Sequence, residues 1–171
     1  ETACLFFSLL YLRKAKDWWW LFIPFLLLTV FVEVTGYILY FIKGQSNHWV
    51  FNLYLPFEIS FLFMLLYQVS KTFFKSSVFL LIAYAIFLGT YLWNSYQSGW
   101  KEYSSDANTL ASFTIVIFSV LFYYFLLKQD SYVNLTAYPA FWLISGLFIF
   151  YLGALGCNLF VLPLTEIYKK T

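Results

Sequence analysis

Charge is what this sequence has least of. Only 11% of its 171 residues are Asp, Glu, Lys or Arg, where soluble domains carry about a quarter. The Lys and Arg residues fall singly or in short clusters between apolar runs. That excludes nucleic acid as a partner, since phosphate binding needs a basic stripe in water. Histidine is nearly absent, with His48 standing alone. A metal centre wants several convergent His or Cys ligands, so no metal site is expected. Cys4 and Cys157 form no CxxC, and the topology below puts them at different depths. A disulfide needs Cα atoms within about 7 Å, so both are expected as small buried apolar residues. There is no GxSxG, no HExxH, no glycine-rich phosphate loop and no Ser–His pairing at a recognisable spacing. No catalytic residue is therefore named, and no cofactor is implied.

What is present is apolar surface. The chain is 63% hydrophobic and 26% aromatic. A soluble fold of this size could not hide so much, because much of any fold's surface stays exposed. Lipid resolves the conflict. Five apolar runs, Trp18–Ile42, Trp49–Val69, Val78–Tyr96, Leu110–Leu127 and Ala137–Leu162, each approach the roughly 20 residues that span a bilayer core. Backbone groups in hydrocarbon must be satisfied internally, and period-two alternation is absent, so the runs are helices. Residues 2–12 are apolar but half a span long, without the features of a signal peptide. The expected fold class is all-α: a polytopic transmembrane helix bundle of five full spans plus a partial N-terminal helix, forming a single domain over 1–171.

Orientation follows from basic residues flanking the spans. With Arg13, Lys14 and Lys16 in the cytoplasm, Lys71, Lys75 and Lys128 join them. Lys43, Lys101, Lys169 and Lys170 lie outside. Trp18, Trp19, Trp20, Trp49, Trp100 and Trp142 fall near span ends, as interfacial anchors should. Nine lysines to one arginine, with abundant Phe, Tyr and Ile, fit a bacterial plasma-membrane protein from an AT-rich genome.

Among the acidic residues only Glu33 and Glu58 fall inside spans. An ionisable group in a membrane helix costs about 2.5–3.5 kcal/mol on insertion scales, so it faces a polar interior or cavity. Glu33 precedes the outer end of its span by nine residues, and Glu58 follows the outer end of the next by nine. At 1.5 Å per residue both lie roughly 13 Å deep, on antiparallel neighbours. The expectation is an outward-opening polar pocket floored by these carboxylates. Its other candidate ligand- or ion-binding residues are Tyr37, Tyr54, Asn52, Asn94 and Asn108, which serve equally as hydrogen-bonding glue between helices. Gly146, Gly153 and Gly156 form a small-residue face suited to close helix packing.

The function expected is a non-enzymatic membrane module, a subunit or sensor partnered by lipid and by other membrane subunits. A small proton- or cation-coupled carrier or channel using Glu33 and Glu58 is the alternative. An intramembrane lipid-modifying enzyme ranks third.

Overall fold

In the computed structural model of the chain, the structure describes Leu5, Phe6, Leu9 and residues 17–71, 78–98, 102–128 and 134–161. Among the described residues every regular element is helical. A 3-10 turn, Asp17–Leu21, leads into α1 (Phe22–Tyr37), which runs on through a π-helical turn, Ile38–Ile42. Then come α2 (His48–Ser70), α3 (Val78–Ser98), α4 (Ser105–Leu127) and α5 (Pro139–Gly156), the last continued by a π turn, Cys157–Val161. Five stretches are long and apolar enough to cross a membrane: Trp19–Ile42, His48–Val69, Val78–Gln97, Ser105–Leu127 and Pro139–Phe160. Their length and composition point to an integral membrane protein. The expected partial helix over 2–12 lies almost wholly outside the described residues.

The helix ends follow local chemistry. Gly44, with φ +60°, lets the chain leave the first helix. Lys43 N–H then donates to Ile38 O at 3.1 Å and Gln45 N–H to Leu39 O at 3.0 Å, satisfying two terminal carbonyls. The fourth helix starts at Ser105, not near Leu110. Its polar first turn holds Asp106, whose charge suits a helix N-terminus, and Asn108 N–H donates to Ser104 O at 3.2 Å. Pro139 opens α5 and Pro24 is the third residue of α1, where a missing N–H costs little. Pro56 is different. It lies inside α2, beyond the second turn, and deprives the Asn52 carbonyl of its helical donor.

Hydroxyls along the rods bond to their own backbone. Thr35 donates to Phe31 O at 2.7 Å, Ser112 to Asn108 O at 2.7 Å, Thr114 to Leu110 O at 2.9 Å and Ser119 to Ile115 O at 2.8 Å. This i−4 back-bonding leaves no such hydroxyl bare in an apolar setting.

The chain divides into two compact units, Glu1–Phe61 with Ser98–Tyr103, and Leu62–Gln97 with Ser104–Thr171. In the first, α1 packs against the start of α2 through buried Val32, Leu39, Val50 and Tyr54, with Phe25 and Phe51 against them. Phe25 stacks on Phe61 with centroids 4.1 Å apart. Gly36 makes this approach possible, since a Cβ there would stand 2.8 Å from Phe51 Cζ.

In the second unit α4 presents one buried stripe: Ala107, Ala111, Ile115, Phe118, Phe122 and Leu126. The helical spacing of these positions puts them on a single face. Tyr123 Oη donates to Ser145 Oγ at 2.8 Å, and its ring meets Phe141 and Phe148 edge-on. Tyr123 and Ser145 thus join α4 to α5.

Two expectations are corrected in this unit. Gly146, Gly153 and Gly156 have nothing within 4 Å of where a Cβ would stand, so the face is bare among the described residues. Ile149 and Phe150 beside it are exposed too. Helix contact in this unit runs instead through Tyr123 and its neighbours. Cys157, expected to be buried, is exposed, because the closing π turn carries it off the packed side. Cys4 lies outside the described residues.

Candidate functional site

The polar groups of the first unit converge on a cleft of about 160 Å³ lined by Thr29, Val32, Glu33, Phe51, Tyr54, Leu55, Glu58 and Tyr103. Helix α1 supplies Thr29, Val32 and Glu33 at near-helical spacing, and α2 supplies Phe51, Tyr54, Leu55 and Glu58. Glu33 and Glu58 therefore border one cavity.

Hydroxyl chemistry fixes one wall. Thr29 Oγ1 donates to Phe25 O at 2.9 Å and lies 2.5 Å from Tyr54 Oη. A threonine hydroxyl carries one proton, already given to Phe25 O, so Tyr54 is the donor in the second bond. This bond pins the Tyr54 ring at the cleft wall. Tyr54 is itself buried.

The other wall comes from a link. Tyr103 belongs to the segment Ser98–Tyr103, which clusters with the first unit. Asn52, 2% exposed, donates from Nδ2 to Glu102 O at 2.7 Å and ties the link to α2. Burial, and second the charge of Glu58, push the Tyr103 hydroxyl up to about 12. Below pH 10 the group is protonated whether the chain is folded or not. Between about 10 and 12 an unfolded chain releases this proton while the folded one holds it, so this group subtracts stability as pH rises through that window. Ultraviolet titration of the phenols should show a late component that loses one group in Tyr103→Phe. In Glu58→Gln it should titrate earlier but still above the ordinary value, because burial is the larger cause.

Glu33 is exposed on the open side of the cleft, with neither hydrogen-bond nor ion-pair partner among the described residues. Its neighbours Phe31 and Val34 are exposed apolar side chains. Glu58 is half-buried.

The remaining candidates separate from this cavity. Tyr37 is 60% exposed and leans on Phe41, with ring centroids 4.8 Å apart, so it does not line the cleft. The buried line on α1 is Val32, Gly36 and Leu39, and Tyr37 sits one residue, about 100°, round from Gly36. Asn52 is a tie to the link and is not among the lining residues. Asn94 Nδ2 donates to Ser104 Oγ at 3.4 Å in the second unit. Asn108 lies on the first turns of α4, where its carbonyl accepts from Ser112. Buried Asn158 Nδ2 lacks a hydrogen-bond partner among the described residues. His48 is exposed at the start of α2. Among the described residues no group of three or more His, Cys, Asp or Glu is placed to hold a metal.

Tyr103 is the residue that sequence reasoning missed. It lies in a polar link, where a tyrosine carries no depth or helical-face signal. Its place three residues from Trp100, another interfacial aromatic, was the one available hint. No family model matches the chain, and neither does any curated protein or solved structure.

Proposed function

We propose that the chain is a non-enzymatic integral membrane module, a sensor or subunit of a larger membrane assembly, which reads a polar ligand or partner at the Glu33–Glu58 cleft. The observation that carries this is Glu33. A carboxylate exposed partway along a helix otherwise clad in Phe31, Val34 and Phe41 costs about 2.5–3.5 kcal/mol against hydrocarbon unless something polar covers it. The cleft beside it is where that cover would sit. Lys71 and Lys128, which follow the C-terminal ends of α2 and α4, fold over Tyr67 and Tyr124 with Nζ 4.6 and 5.9 Å from the ring centres. Such basic and aromatic pairs suit the cytoplasmic interface, which supports an outward-facing cleft in a bacterial plasma membrane.

Purification of the full chain from its native membrane in mild detergent tests this. A larger assembly is expected, or a saturable ligand, and Glu33→Gln should weaken whichever is found. A lone monomer whose properties ignore Glu33→Gln and Glu58→Gln would overturn the proposal.

Pro56 favours a second reading, a proton- or cation-coupled carrier. It lies inside the Glu58 helix, two residues before the carboxylate, and has no N–H to donate to the helical ladder. Transporters place interrupted helices and carboxylates together near mid-membrane. Flux into vesicles under a pH or ion gradient, abolished by Glu58→Gln, would select it.

A further inference from the structure

We propose that the groove between α3 and α4 seats one acyl chain of a membrane phospholipid. The inference goes beyond the proposed function, sharing its bilayer setting but not its cleft. Three features of the groove carry it.

The first is chemistry. Phe79, Ile82, Ala83 and Ile86 line the groove from α3, at the i, i+3, i+4, i+7 spacing of one helical face. Leu110, Phe113, Thr114 and Ile117 repeat that spacing on α4. Every one of these side chains is pure hydrocarbon except Thr114, whose hydroxyl donates to Leu110 O at 2.9 Å. An occupant made of carbon therefore leaves no side-chain donor unsatisfied.

The second is shape. Ala83 and Thr114 make a floor, 9% and 8% exposed, while Phe79, Ile82, Ile86 and Phe113 stand half-exposed at the rims. From Phe79 to Ile86 a helix advances about 10 Å. A groove of about 210 Å³ over that length has a section on the order of 20 Å², about 5 Å across. Carbon atoms pack at about 3.5–4.0 Å, so the groove takes a single file of methylenes.

The third is what such a groove meets. A helix with its side chains is about 10–12 Å across and does not enter it. Helices in membranes also approach one another through small residues, whereas these rims are Phe and Ile. Left empty, the groove forfeits dispersion contacts along its lining. Both quartets lie within stretches long and apolar enough to cross a membrane, and the medium against such stretches in a bilayer is acyl chain.

The experiment reconstitutes the full chain into phosphatidylcholine vesicles in which a small fraction of acyl chains carries a photoactivatable diazirine. Diazirine positions are mixed along the chain, which removes depth as a variable, and labelled residues are mapped by mass spectrometry. Ile86 and Phe113, each 53% exposed, should take at least about threefold more label than Ile149 and Phe150, which are 71% and 63% exposed on α5. A chain in the groove meets protein carbon on three sides, and a chain on an open face meets it on one. Ala83→Phe fills the floor and should bring Ile86 and Phe113 down to the level of Ile149 and Phe150. Gly153→Ala, whose added Cβ meets nothing within 4 Å, should leave the ratio unchanged. Equal labelling of groove and open face in the unaltered chain would overturn the proposal. So would weaker labelling in the groove with cross-links there between two chains, since the occupant would then be a second copy. An absence of label from all five helices would overturn the bilayer setting, and the proposed function with it.

Discussion

Phe122→Ala should destabilise the protein by roughly 2 kcal/mol in a denaturant titration of the micelle-bound chain. Phe122 is fully buried on the packed stripe of α4, between Phe118 and Leu126. In a water-soluble core the same change costs about 3–5 kcal/mol, the sum of a transfer term and a cavity term. For a helix surrounded by lipid the transfer term falls away, because hydrocarbon receives a phenyl ring as readily as the protein interior does. The cavity term remains. A void on the order of 100 Å³, at about 24 cal/mol per Å³, gives the figure above. Phe113, half exposed on the same helix, is the control, and its replacement by Ala should cost far less. Equal losses at the two positions would mean that the buried stripe does not set the packing.

Asn52→Ala should loosen the link at Glu102 and Tyr103 while leaving the helices in place. The side chain is almost fully enclosed and gives its Nδ2 proton to Glu102 O. Truncation removes this bond, whose net worth is about 0.5–1.5 kcal/mol because the exposed Glu102 can turn its carbonyl to water. The loss concentrates at Glu102 and Tyr103, so hydrogen exchange there should accelerate by about 2- to 12-fold. Tyr103 loses its anchor as well, and its hydroxyl should titrate closer to an ordinary tyrosine. An unchanged exchange rate in the link, with the protein folded, would show that Asn52 does not hold it.

Both experiments address features that differ in how far they can be read from the chain. The five helices were legible because run length against bilayer thickness is a one-dimensional quantity. Glu33 and Glu58 line one cavity, and counting residues from the adjoining ends of their two helices puts them at like heights. Azimuth was harder. Tyr37 is four residues from Glu33 and looks like part of its stripe, yet the line buried on α1 passes through Val32, Gly36 and Leu39. Glu33 lies just beside that line and reaches the cleft, whereas Tyr37 leans away over Phe41. Composition does not contain that rotation; it comes from the Phe51 ring seated over Gly36. Tyr54 was a candidate by residue type and depth, but its bond to Thr29 depends on the register of two helices. The start of α4 was misjudged because hydropathy begins at Leu110, while Asp106 and the Ser104 carbonyl begin the helix a turn earlier.

The back-bonded hydroxyls bear on biogenesis. A serine or threonine that satisfies itself on its own rod asks nothing of its neighbours, so a segment such as α4 can leave the translocon alone and meet its companions later. Glu33 has no such bond to its own rod among the described residues. The segment that carries it should therefore leave the translocon best in company with α2, whose Glu58 borders the same cleft.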